Sequence, residues 1–143
     1  MKSVFALAVL SSAQMSFAAC ADNQTSRWIT EMIEARAGQG AFPAPTSGGE
    51  CQASQVSGGP LSSVCSWEFD YRADAAAALM DGFVGTLQSC FDVQEIAPDQ
   101  QVNHPDSYDL HQLEVGETMV SVSLKDKAAL TKTYIFLRFE PAN

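Results

Sequence analysis

The sequence predicts an α+β protein with two layers: a mainly antiparallel sheet of four to five strands, with two helices on one face. Apolar residues recur at helical spacing in two segments, 22–37 and 73–91. Side chains alternate with a period of two in several others, and short turns join the last three of these. A doubly wound fold would need more alternation of strand and helix along the chain.

Each helical segment has one apolar face. The face residues are Trp28, Ile29, Met32 and Ile33 in the first segment, and Leu79, Met80, Phe83, Leu87 and Phe91 in the second. The candidate N-caps of the first helix are Asp22, Thr25 and Ser26, and Asp74 suits the first turn of the second. Gly82 and Gly85 would let the second helix lie close to the sheet.

Residues 64–72 are the clearest strand, because Cys65, Trp67, Phe69 and Tyr71 alternate with polar residues. A turn at Gly58 precedes this strand, and residues 51–56 are a weaker candidate for its partner. Proline and glycine make 42–49 a loop, and 93–105 is also predicted to be mostly loop. Three further strands are predicted at 109–115, 118–124 and 131–139, with turns at 116–117 and 125–129.

The first eighteen residues have the composition of a secretory signal peptide. Lys2 precedes a short apolar stretch, and small residues flank Phe17 in a cleavage pattern. The stretch is shorter than the roughly 18 apolar residues that cross a membrane. We therefore expect residues 1–18 to be removed and residues 19–143 to form a single α+β domain that is periplasmic or secreted.

The chain is acidic, with 17 Asp and Glu against 8 Lys and Arg and a formal net charge of −9. It has no basic cluster of the kind that phosphate contacts require, so nucleic acid and anionic membranes are unsuitable partners. The acidity is explained by solubility.

Four cysteines, Cys20, Cys51, Cys65 and Cys90, predict two disulfides in an exported protein. The strand from Cys65 and the helix returning to Cys90 have similar lengths, about 23 and about 24 Å. We therefore predict Cys65–Cys90 with Cys20–Cys51. The alternative is Cys51–Cys65 across a hairpin, with Cys20–Cys90 between helix ends.

The residues before Cys20 also faintly resemble the lipobox of bacterial lipoproteins. Phe17 stands where that motif usually has leucine, and lipidation of Cys20 would leave an odd number of cysteines. A lipoprotein is therefore the less favoured prediction.

The two histidines lie in one polar segment, where His104, Asp106, Asp109 and His111 offer two imidazoles and two carboxylates. Such side chains bind zinc, copper or nickel, and Asp109 and His111 would share one face of a strand. Their spacing matches no dedicated metal motif, so a solvated polar segment is favoured over a metal site.

Catalytic chemistry has weaker support. Ser107 or Tyr108 beside a histidine and a carboxylate supplies the residue types of a hydrolase, but no Gly-x-Ser-x-Gly occurs. Glu68 and Asp70 form a carboxylate pair, yet Arg72 beside them indicates an ordinary charged strand face. No catalytic residue and no cofactor is assigned.

A binding surface is predicted on the last strand. If Ile135 and Leu137 face the helices, Tyr134, Phe136 and Arg138 lie on the opposite face of the sheet. Tyrosine, phenylalanine and arginine are enriched in protein interfaces. The competing interpretation is a central strand that is partly covered on both faces.

The residues carry no motif that resembles a known family. The leading hypothesis is a non-enzymatic binding or inhibitor-type module that acts on a protein or a small ligand. The alternative is a small metal-binding protein or metal-dependent enzyme centred on residues 104–111.

Overall fold

The structure is a computed structural model that describes residues 19–38, 40–55, 57–97 and 105–142. The predicted signal peptide lies outside these residues. The helices are α1 (Gln24–Arg36) and α2 (Asp74–Cys90), and the strands are β1 (Glu50–Gln55), β2 (Leu61–Asp70), β3 (Gln94–Ala97), β4 (Tyr108–Val115), β5 (Thr118–Lys127) and β6 (Lys132–Pro141). A helical turn at 19–22 precedes α1. None of the described helices is long and apolar enough to cross a membrane.

The six strands form one antiparallel sheet in the order β1-β2-β6-β5-β4-β3. This confirms the predicted α+β class, with one strand more than expected. The additional strand, β3, lies in the segment predicted to be loop. Its four residues are too few and too polar to show a period of two. The last strand, β6, lies in the middle of the sheet between β2 and β5.

Both helices pack on one face of the sheet, which we call the inner face. Side chains of β2, β4, β5 and β6 point there at every second position and are buried: Cys65, Trp67, Leu113, Val120, Val122, Ile135, Leu137 and Phe139. The helices add Trp28, Ile29, Met32, Met80, Phe83 and Leu87 to the same cluster. The ring of Trp28 lies 6.1–6.2 Å from the rings of Trp67, Phe83 and Phe139. Aromatic pairs at such distances add about 0.5–1.5 kcal/mol each to the burial of their surface.

The N-cap of α1 differs from the prediction. Asn23 caps the helix, because its side-chain oxygen accepts a hydrogen bond from the Ser26 backbone N–H at 3.0 Å. Asp22 is exposed, and Ser26 is a buried residue of the helix itself. The predicted apolar face is largely confirmed, although Ile33 is only half-buried.

In α2 the predicted apolar residues Met80, Phe83 and Leu87 are buried. Gly82 and Gly85 do not lie against the sheet, since a Cβ atom at either position would meet no atom within 4 Å. The close approach occurs instead at Gly49. A Cβ atom there would lie 2.4 Å from the Trp67 ring.

The disulfides join the cysteines in the alternative arrangement. Cys51 is bonded to Cys65 and Cys20 to Cys90, with Cα atoms 4.0 and 5.5 Å apart. The predicted pairs Cys65–Cys90 and Cys20–Cys51 are therefore wrong.

The error arises from where β2 begins. The prediction placed Cys65 near the start of the strand, beside the end of the returning helix. The strand instead begins at Leu61, so Cys65 lies in mid-strand, directly opposite Cys51 in the β1–β2 register. Cys90 at the end of α2 then meets Cys20, which precedes α1.

The buried carboxylate of Asp126 stabilises the C-terminal end of β5. It is 4% exposed and accepts hydrogen bonds from the hydroxyl groups of Ser107 and Thr133 and from Arg72 Nε at 3.1 Å. Burial raises the pKa of this carboxyl. The three hydrogen bonds and the Arg72 charge outweigh burial and leave the pKa below its usual value. The predicted turn at 125–129 begins too early, because β5 continues to Lys127.

Candidate binding surface

The face of the sheet opposite the helices, which we call the outer face, carries the three residues predicted to bind a partner. Tyr134, Phe136 and Arg138 alternate along β6 with residues such as Ile135 and Leu137, which are fully buried. Tyr134 and Phe136 are half-buried, and Arg138 is exposed. Neither α1 nor α2 packs on this face, although β6 is a central strand. A partner could therefore contact these side chains without disturbing the core.

Strand register arranges the outer face in rows. Going from β4 to β2, the rows are Tyr108, Lys125, Tyr134 and Glu68; then Leu110, Ser123, Phe136 and Ser66; then Gln112, Ser121, Arg138 and Val64. The β5 positions of the last two rows are serines, which are small and only 7–9% exposed. Strand β5 therefore forms the floor of a trough between larger side chains on β4 and β6. Its volume of about 310 Å³ is at the lower end of the range for ligand sites.

Aromatic rings and a cation surround one end of this trough. The Lys125 ammonium lies 5.2 Å from the ring centroid of Tyr108 and 5.4 Å from that of Phe136. The rings of Phe136 and Tyr134 are stacked with centroids 6.1 Å apart. Cation–π contacts at these distances contribute about 0.5–1 kcal/mol each at exposed sites. They hold the Lys125 ammonium over the aromatic side chains.

The cations of the outer face differ in their partners. Lys132 Nζ lies 3.0 Å from Glu68 and 3.6 Å from Asp70, and its hydrogen bond to Glu68 raises the pKa of the lysine. Arg138 lies 3.7 Å from Glu140. In the part of the chain that the structure describes, Lys125 has no carboxylate within 4.0 Å. Its charge is therefore available to a ligand.

Sequence reasoning missed Tyr108 and Lys125. It placed Tyr108 in a polar segment and Lys125 in a turn, because the run Lys-Asp-Lys resembles turn composition. The signal was present in the alternation of β5, where the inward Val120, Val122 and Leu124 are followed two residues later by the buried Asp126. Extending that alternation would have placed Lys125 on the outer face.

The candidate metal ligands that the structure describes, Asp106, Asp109 and His111, are not gathered into one site. Asp109 and His111 share the inner face, as predicted, but the two imidazole nitrogens face different carboxylates. Nε2 lies 3.7 Å from Asp109, and Nδ1 lies 3.7 Å from Glu95 on β3. One imidazole binds a given metal ion through only one of its nitrogens. An ion at Nε2 would therefore lie near Asp109 but not near Glu95.

Asp106, the third candidate ligand that the structure describes, is engaged elsewhere. Asp106 accepts a hydrogen bond from the Ala128 backbone N–H at 2.9 Å, and His104 lies outside the described residues. Across residues 19–38, 40–55, 57–97 and 105–142, no group of three or more His, Cys, Asp or Glu side chains is arranged to hold a metal ion.

The candidate catalytic groups are also separated. The Ser107 hydroxyl donates to Asp126, while Tyr108 points to the outer face and His111 to the inner face. Glu68 and Asp70 are paired with Lys132 rather than with Arg72. These candidate side chains therefore do not form a set of nucleophile, base and orienting group.

No family model, curated protein or solved structure matches the chain. Its function must therefore be argued from its own residues.

Proposed function

We propose that this protein is an exported, disulfide-stabilised, non-enzymatic binding module of the inhibitor type, which holds a protein partner on its outer face. The observation that carries the proposal is the trough between Tyr108 and Phe136. It lies on the face that α1 and α2 leave free and contains Lys125, a cation without a carboxylate partner among the described residues.

The position of the trough favours binding because its floor and walls are rigid. Strands β5 and β6 are each hydrogen-bonded on both sides, and their inner side chains belong to the core. The strand backbone of such a surface is already ordered before a partner docks, which lowers the entropy cost of association. The few side chains that dominate an interface, which are often aromatic or arginine, cost about 2 kcal/mol or more each when truncated.

The disulfides support the export part of the proposal. All four cysteines are paired, which fits an oxidising compartment. Cys20 uses its sulfur in the bond to Cys90, so that sulfur is not available for a lipid. This favours a periplasmic or secreted protein over a lipoprotein.

The test uses the mature protein as bait in an extract of the cell envelope of its own host. Tyr134→Ala with Phe136→Ala removes aromatic area from the outer face without touching the core. We expect the double variant to lose the partner that the wild type retains, with a fall in affinity of about thirtyfold or more.

Gln88→Ala is the matched control, because Gln88 is exposed on α2 at the opposite side of the molecule. It should retain the partner as the wild type does. Equal retention by the wild type and the folded double variant would contradict the proposal, as would loss in the control alone.

A further inference from the structure

We propose that the outer-face trough binds a short acidic segment of the partner protein, with a carboxylate at Lys125 and an apolar side chain against Phe136. This inference rests on the proposed function and names the chemistry of the partner. The juxtaposition that supports it is a cation with no carboxylate partner among the described residues, placed over aromatic rings and beside a floor of hydroxyl groups.

The charged side chains that line the trough are complementary to an acidic segment. The whole chain has a net charge of −9, yet two cations, Lys125 and Arg138, line the trough. Glu68 and Asp70, farther along the outer face, are paired with Lys132. Among the described residues that line the trough, the one acidic side chain, Glu140, is beside Arg138 at 3.7 Å. An anionic segment would therefore meet attraction here and repulsion over much of the remaining surface.

The polar groups of the trough fit an acceptor-rich ligand. Lys125 and Arg138 can only donate, and Ser121, Ser123 and Gln112 have hydroxyl or amide hydrogens to donate. Carboxylate and peptide carbonyl oxygens supply the matching acceptors. Hydrogen bonds with one charged partner are about twice as strong as neutral ones, so a carboxylate gains most at Lys125.

The dimensions indicate a segment of about four residues. The trough is lined by residues of β4, β5, β6 and β2. Three gaps between neighbouring strands, at about 4.8 Å each, span about 14 Å, and an extended chain covers this with about four residues at roughly 3.3 Å each. Leu110, Phe136 and Val64 supply apolar surface across that span, so the ligand should contain apolar as well as acidic residues.

The experiment titrates the isotope-labelled mature protein, with both disulfides intact, against blocked tetrapeptides and follows backbone amide signals by NMR. The probe is acetyl-Glu-Leu-Glu-Leu-amide, and its neutral counterpart carries glutamine in place of glutamate. The acidic peptide should saturate shifts confined to β4, β5 and β6, and should bind about tenfold more tightly than the neutral peptide. Added salt should weaken its binding.

Two variants distinguish the effect of removing the Lys125 ammonium from the effect of removing a positive charge elsewhere. Lys125→Met keeps the apolar stem over the rings and removes the ammonium, so it should reduce affinity for the acidic peptide about tenfold. Arg27→Met, which removes one positive charge from an exposed position of α1, should change it less than twofold. Glutarate, a free dicarboxylate, should bind far more weakly than the peptide.

The inference is overturned if the acidic and neutral peptides bind equally, if no outer-face signals shift, or if Lys125→Met binds as the wild type does. It is also overturned if glutarate binds as tightly as the peptide, since a small anion would then be the ligand. When any of these results is obtained but the Tyr134→Ala, Phe136→Ala variant still loses the protein partner, only the inference about an acidic segment is refuted. When that variant retains the partner, the proposed function is refuted as well.

Discussion

Replacing Asp126 with asparagine should destabilise the fold by about 3 kcal/mol at neutral pH. One carboxylate oxygen accepts from Ser107 and from Arg72 Nε, and the other accepts from Thr133. The Thr133 hydroxyl in turn accepts the Arg72 backbone N–H at 2.8 Å. The carboxylate therefore links the segment before β4, the turn before α2 and both central strands.

The magnitude follows from what asparagine can replace. Its carbonyl oxygen still accepts one hydroxyl hydrogen, and the other hydroxyl can rotate to accept from the amide. Changing two charged hydrogen bonds to neutral ones costs about 1 kcal/mol each. In either orientation of the amide, the Arg72 guanidinium loses its anionic partner. Because the Arg72 side chain is 48% exposed, that lost pair adds only about 0.5–1 kcal/mol.

The effect should depend on pH in a defined direction. The pKa of the Asp126 carboxyl is lowered in the folded state, so its contribution to stability is complete above the unfolded value of about 4. That contribution is lost as the pH falls through the lower folded pKa. The free-energy gap between the wild type and Asp126→Asn should therefore be constant above about pH 5 and shrink below about pH 4.

Urea unfolding of the oxidised protein, followed by tryptophan fluorescence, measures this gap at a series of pH values. Asp70→Asn is the control: the Asp70 side chain is 94% exposed, and the substitution should change stability by less than about 0.5 kcal/mol. A gap below about 0.5 kcal/mol for Asp126→Asn at pH 7, or one that persists unchanged in acid, would refute the reasoning.

Three further predictions concern the fold and its processing. Gly49→Ala should cost about 1–3 kcal/mol by forcing a methyl group onto Trp67, whereas Gly40→Ala, where a Cβ atom meets open space, should be near neutral in the same unfolding assay. Non-reducing peptide mapping should recover the Cys51–Cys65 and Cys20–Cys90 peptides, and any other pairing would contradict the structure. The exported protein should have the intact mass of a chain that begins at residue 19 or 20. A retained leader or a lipid adduct would contradict the export proposal.

The sequence predicted which face of each long element is buried, because a helix or strand packed on one side must repeat its apolar residues at a fixed spacing. Trp67 on β2, Ile135 and Leu137 on β6, and Met32 on α1 all follow that rule. The placement of Tyr134 and Phe136 on the outer face follows from the same alternation.

Features that depend on which strands become neighbours were not predictable in this way. Alternation carries no information on strand order, so it could not predict that β6 inserts between β2 and β5. The disulfide prediction failed because the β1–β2 register decides which cysteine lies opposite Cys65. The Asp126 network joins residues from distant segments, and its carboxylate lies between two lysines in a run that resembles a turn.

The central claim is that a protein partner docks on the outer face, and photo-crosslinking in the intact host tests it most directly. A photo-reactive phenylalanine analogue replaces Phe136 on the outer face or, as a control, Gln88 on α2. The account predicts a specific adduct from position 136 and none from position 88. An adduct from position 88 alone would place the partner on the helical side and contradict the account.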